Sequence, residues 1–267
     1  MFLGEWKKYL LKELEDEPLT LRRSEVDIEG FKIQDNLNSN FWDQDGNLKT
    51  KLKERLLRIA ENFLKNLNLP FVDMEDVTIT GSLANYNWSK YSDIDLHIIL
   101  DFSQIDENKA LVKQLFDAKR SLWNRTHKIM MHEHEVEIYV QDIDESHAST
   151  GVYSVLSDKW NIKPSRVDFQ VDWECVKIKA SCFMKLIDDA QGIYDVENYE
   201  KSYKESKRLK QKIKNFRSSG LNDGGAYSVE NLTFKLLRRN DYLKKLLELH
   251  IRSYDKLFSL EKAKKKL

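Results

Sequence analysis

Sulfur is scarce in this 267-residue chain: Cys175 and Cys182 are its two cysteines. They stand seven apart in a helical pattern, on one face and about two turns apart, which is too far for a disulfide. Buried free thiols are expected, and a sulfur-based metal site is not. Long apolar runs are also missing. No stretch approaches the roughly 20 residues needed to cross a bilayer, so no membrane partner is expected. Met1 to Leu10 is a charged amphipathic stretch without a secretory apolar core, so a cytoplasmic protein is expected. There is no internal repeat and no net charge. What remains is a chain that is 41% hydrophobic, enough for a sizeable core, and 33% charged. With a mean hydropathy of −0.61 it reads as a soluble, surface-rich globular protein of one large or two modest domains.

The zero net charge hides an asymmetry. Residues 1–200 hold 25 Lys+Arg against 37 Asp+Glu, a balance of −12, and residues 201–267 hold 19 against 7, a balance of +12. A basic C-terminal third on an acidic body points to a polyanionic partner, either nucleic acid or a nucleoside triphosphate.

Period and punctuation divide the chain. Trp6 to Leu14 reads as a short helix, and 18–40 has weak periodicity. Asp43 to Asn47 reads as a turn. Leu52, Leu56, Ile59, Phe63 and Leu67 recur at helical spacing. The period then falls to two. Val77 to Thr80 is a strand ended by Gly81-Ser82, and Ile94, Leu96, Ile98 and Leu100 form a second strand. Asn108 to His127 is a helix with Leu111, Leu115, Ala118 and Leu122 on one side. Val136, Ile138 and Val140 mark a third strand, and Thr150 to Leu156 reads as a further short one. Beyond Pro164 the pattern is helical: Asp172–Ala190, then a basic helix over Val196–Phe216. Ser218-Ser219-Gly220 and Asp223-Gly224-Gly225 suggest a break. Ser228 caps a helix running to Arg239, and another follows from Asp241 to Leu260. The expected fold is α+β: a small mixed sheet flanked by helices over 1–165, then an all-helical, basic accessory domain over 166–267.

The chemistry concentrates in Gly81-Ser82, ten residues, then Asp93-Ile94-Asp95. On a strand, Asp93 and Asp95 project from one face. Two carboxylates about 7 Å apart repel unless a cation lies between them. Hard oxygen donors in that arrangement suit Mg2+ or Mn2+. Ile94 and Leu96 point the other way, into the core, and fix the acids on a rigid element. Glycine lets backbone approach an anion closely, and the neighbouring amides with the Ser82 hydroxyl can donate to phosphate oxygens. A third acid should come from a neighbouring strand. Glu137 is the candidate, with Glu135 on the same face as the alternative.

Together, Gly81-Ser82, Asp93-Ile94-Asp95 and Val136-Glu137-Ile138 resemble the signature of the DNA polymerase β-like nucleotidyltransferase superfamily. The likeness covers about residues 79–139, and 81–160 also resembles uncharacterised nucleotidyltransferases of bacteriophage genomes. It implies transfer of a nucleoside monophosphate from an NTP to an acceptor hydroxyl. Two divalent cations would be held by Asp93, Asp95 and Glu137, with Ser82 on the terminal phosphates. Glu137 stands where that superfamily more often has Asp. The acceptor stays open. The basic C-terminus favours RNA at its 3′ end, while a small molecule, a protein side chain or an oligonucleotide signal are other acceptors. An inactive nucleotide- or RNA-binding module is the alternative outside enzymes.

Tyr153 and Ser154 follow the strands and are candidates to reach sugar or base. Lys235, Arg238 and Arg239, at i, i+3 and i+4, form the best basic patch for triphosphate or RNA phosphates, with Lys244 and Lys245 nearby. Lys119, Arg120 and Arg125 are either phosphate-steering groups or a solvated helix face. His127, His132 and His134 give no zinc-ligand spacing.

Overall fold

The structure is a computed structural model that describes residues 31–69, 71–147, 149–166 and 170–260. The helix expected over Trp6–Leu14 lies outside the described residues. The chain divides into two compact units, one spanning Glu29–Asp168 and the other containing Phe169–Leu267.

In the first unit, helix α1 (Thr50–Leu67) buries Leu52, Leu56, Ala60 and Phe63, the helical row expected of the sequence, and ends at Asn68 in the left-handed region. A six-stranded mixed sheet follows in the order β3-β4-β2-β1-β5-β6. Its strands are β1 (Met74–Thr80), β2 (Ile94–Leu100), β3 (Met130–Met131), β4 (His134–Asp142), β5 (Val152–Ser154) and β6 (Lys159–Ile162). The central strands β2 and β4 run parallel, and the other pairs are antiparallel. A parallel pair needs a crossover, which helix α2 (Lys109–Thr126) supplies.

Alternation decides what each face carries. Val77, Ile79, Ile94, Leu96, Ile98, Val136 and Ile138 are buried and join the α1 residues, Val112 and Phe116 in one core. The opposite face carries Thr80, Asp95, His97, Glu137 and Tyr139. On helix α2, Leu111, Leu115 and Leu122 form the exposed row, while Val112 and Phe116 are the buried pair. Both rows have helical spacing, so periodicity alone could not choose between them. The Phe116 ring against Phe102, with centroids 5.2 Å apart, decides the face. Asn124 of α2 then covers the edge of β4. Its amide nitrogen donates to the Ile138 carbonyl and its oxygen accepts from the Ile138 amide, both at 3.0 Å. These bonds occupy groups that would otherwise be an open strand edge.

The second unit is helical: α3 (Trp173–Asp195), α4 (Tyr199–Gly224), α5 (Val229–Arg239) and α6 (Tyr242–Phe258). Ser228 caps α5 by accepting from the Asn231 amide, as expected. The expected break at Ser218-Ser219-Gly220 is absent, and α4 runs through it to Gly224. Gly220 is there for close packing: a Cβ on it would lie 2.3 Å from Glu230 Cβ. The turn comes at Gly225, where φ is +66°. Cys175 and Cys182 form no disulfide, and both are half-buried on α3. No helix among the described residues is long and apolar enough to cross a membrane.

Candidate functional site

Strand register assembles the acids. Thr80 of β1 lies opposite Asp95 of β2, and Asp95 lies beside Glu137 of β4. The two carboxylates are therefore direct neighbours on adjacent parallel strands, on the face away from the core, and both are half-buried. Asp93 stands one residue before β2 begins, also half-buried. Glu135, two residues before Glu137 on β4, lies opposite Met130 of the edge strand β3.

The Gly81 turn touches Asp95 directly. Gly81 has φ +73°, and a Cβ there would sit 1.7 Å from Asp95 Oδ2. Both the conformation and the space exclude a side chain. The ten-residue excursion that follows is closed at its ends: the Ser82 hydroxyl donates to Ser92 Oγ at 2.8 Å, and the Ser89 amide donates to the same oxygen at 3.0 Å. Other segments pin it. Asn85 donates to the Gly81 carbonyl at 2.7 Å, Trp42 to the Leu83 carbonyl at 2.8 Å, and Trp88 to the Asn36 carbonyl at 2.8 Å. The buried His134 donates from Nδ1 to the Ser92 carbonyl at 2.6 Å, with Asn38 3.5 Å from its other nitrogen. His134 is thus an anchor for the residue just before Asp93. Sequence reasoning weighed it only against zinc. Its contact spans 42 positions, and nothing local signals it.

The acids have a polar surround. Tyr139 donates to Glu137 Oε2 at 2.7 Å. Burial, then the charges of Asp95 and Glu137, hold its phenol far above the usual range, so it remains a donor. The Arg120 guanidinium lies 4.7 Å from the Tyr139 ring centre while its Nε holds Asp117 at 2.8 Å. His97 stacks on Tyr139 with ring centres 5.0 Å apart and bonds Gln141 at 2.9 Å. Burial, opposed by that hydrogen bond and aided by His147 and Arg120, lowers its pKa to about 4, leaving it neutral. Among the described residues, no three His, Cys, Asp or Glu side chains are drawn together as a ready-made metal cage. The donor chemistry of Asp93, Asp95 and Glu137 still fits a hard divalent cation, and the strands fix the spacing of the last two.

No protein-family model matches the chain, and no curated protein sequence matches it. Among solved structures it is similar to the STING-associated CdnE c-di-GMP synthase from Capnocytophaga granulosa, at 11% identity over 79% of this chain and 84% of that one, with a TM-score of 0.19. So low a score carries no argument about fold or activity.

Tyr153 pairs with Ile79, which puts it on the core face, opposite to Asp95. It is fully buried, donates to Asp158 at 2.8 Å, accepts from the Leu48 amide at 3.3 Å and packs edge-on to Trp42. Its hydroxyl serves the core rather than a sugar or base. Ser154 is fully buried and donates to Asp76 at 2.6 Å. Lys235, Arg238 and Arg239 lie on α5 of the helical unit, where Arg238 is exposed and the other two are half-buried.

Proposed function

We propose that this protein is a metal-dependent nucleotidyltransferase, moving a nucleoside monophosphate from an NTP to an acceptor hydroxyl with release of pyrophosphate. The observation that carries the reading is the contact of Gly81 with Asp95. Backbone suited to an anion and a carboxylate occupy one spot, beside a second carboxylate in register. Such a grouping is electrostatically unfavourable for a bound phosphate unless cations join it.

In this reading Asp93, Asp95 and Glu137 hold two Mg2+ or Mn2+ ions. When bound, the ions offset charge on the triphosphate and the leaving pyrophosphate and acidify the acceptor hydroxyl. The Gly81 and Ser82 amides bind the terminal phosphates, and the Ser82 hydroxyl joins them by turning from Ser92 Oγ. The acceptor oxygen forms a bond to the α-phosphorus, and the bond from that phosphorus to the bridging oxygen breaks. Pyrophosphate leaves, and the acceptor proton passes to Glu137. The Tyr139 hydroxyl restrains one Glu137 oxygen and leaves the other to act. Arg120, stacked on Tyr139, adds positive potential on this side of the sheet. The basic C-terminal third favours an RNA acceptor.

Incubation with each α-labelled NTP, Mg2+ or Mn2+, and total RNA tests this. Label should enter RNA with release of pyrophosphate. Asp93→Ala and Asp95→Ala should each lose transfer by on the order of 10^3-fold with an unchanged circular dichroism spectrum. Label in a small product would keep the chemistry and change the acceptor. Full turnover by either variant, or transfer without a divalent cation, would overturn it.

A further inference from the structure

Among the described residues of the helical unit, a regular line of positive charge runs along α4, apart from the α5 face. Lys207, Lys210, Lys214 and Arg217 recur at i, i+3, i+7 and i+10, which puts them on one face over about 15 Å. They line one wall of a groove with a cavity volume of about 730 Å3 between α4 and α6. No described Asp or Glu lines it. Two other α4 cations are paired with acids, Lys204 with Glu200 and Arg208 with Glu205. Among the described residues, Lys207, Lys210 and Lys214 engage no acid.

The opposite wall is apolar and aromatic. Leu247 is exposed, Phe234 closes the groove with the Arg217 guanidinium 4.1 Å from its ring centre, and His250 stacks on Tyr203 at 4.8 Å. The Ser206 hydroxyl donates to the Tyr203 carbonyl at 2.9 Å, so it accepts from His250 Nδ1 at 3.2 Å. Burial, then Lys210 and Lys207, lower the His250 pKa.

We propose that this groove grips a single-stranded polynucleotide, with its phosphates along the α4 cations and its bases against the Phe234, Leu247 and His250 wall. An evenly stepped row of charge, 4.5–6 Å per step along the axis, suits a regularly charged backbone. A cationic wall facing aromatic and apolar surface is the general arrangement for single strands, because every base has an apolar face. As a statement about the acceptor it rests on the proposed transfer activity. As a statement about binding it does not.

Fluorescence anisotropy of the full chain with a labelled 12-nucleotide oligouridylate, without NTP or divalent cation, tests it. Four neutralised phosphates give a salt slope of about −3, so raising salt from 50 to 200 mM should weaken binding about 50-fold. Lys210→Glu with Lys214→Glu should weaken binding at least tenfold and flatten the slope, at unchanged melting temperature. The charge-matched double variant Lys159→Glu with Lys163→Glu, on and beside β6, should bind like wild type. Binding by the wild type without transfer would fault the catalytic reading alone. Equal affinity of the α4 variant and wild type would overturn the proposal. So would an equal loss in the β6 variant, or capture of anionic phosphatidylserine vesicles with no oligonucleotide binding.

Discussion

In the sheet unit, Asp95 and Glu137 are like charges side by side on rigid parallel strands, half-buried, with a glycine turn pressed onto one of them. In the helical unit, Lys207, Lys210 and Lys214 are like charges along an open helix face with solvent to relax into. Strand pairing fixes where a charge sits at a cost in repulsion, so the arrangement calls for a counter-ion at one point. A helix face spreads charge at low cost, and it suits a long partner bound weakly at many points. The first should be sensitive to ångström displacements, and the second to salt.

Gly81→Ala breaks the contrast most severely. Its Cβ would strain a left-handed residue by about 1–2 kcal/mol and force the Asp95 carboxylate to turn away. Urea unfolding should show that loss, and transfer should drop by at least about 100-fold, because small misplacements are costly in a positioned site. Unchanged transfer would mean that the turn and Asp95 act separately.

A smaller effect sharpens the other half. With its folded pKa lowered by burial and by Lys210 and Lys207, His250 takes a proton more readily when unfolded. The unfolded chain therefore binds more protons below the ordinary histidine value, and stability contributed there falls as pH falls. The slope of unfolding free energy between pH 7 and 5 should flatten in His250→Gln. Bound oligonucleotide should flatten it in the wild type, because phosphate offsets the two lysines. An unaltered slope in both experiments would show that the groove field does not reach His250.

Much of the sheet was legible in the sequence because burial on one face imposes alternation. The rows around Ile79, Leu96 and Ile138 therefore named both the strands and the inward direction. What alternation omits is strand partnership. Tyr153 looked available until its pairing with Ile79 turned it into the core. The edge strands β3 and β6 have two and four residues, too few to show a period. Trp42, Trp88 and His134 hold the loop before Asp93 through contacts set by tertiary folding. Glycine was read as a breaker at Gly220, where close approach to Glu230 explains it instead. The basic character of the C-terminal third was visible in composition. Which helix face would carry it depended on packing, because Lys235, Arg238 and Arg239 have as regular a spacing as the α4 row.

The claim that Asp95 and its neighbours grip divalent ions beside a triphosphate is tested most directly by electron paramagnetic resonance of Mn2+ with a non-hydrolysable NTP analogue. The wild type should take up about two Mn2+ per chain only when the analogue is present, and Asp95→Asn fewer than one. Equal uptake by Asp95→Asn, or none by the wild type, would contradict the account.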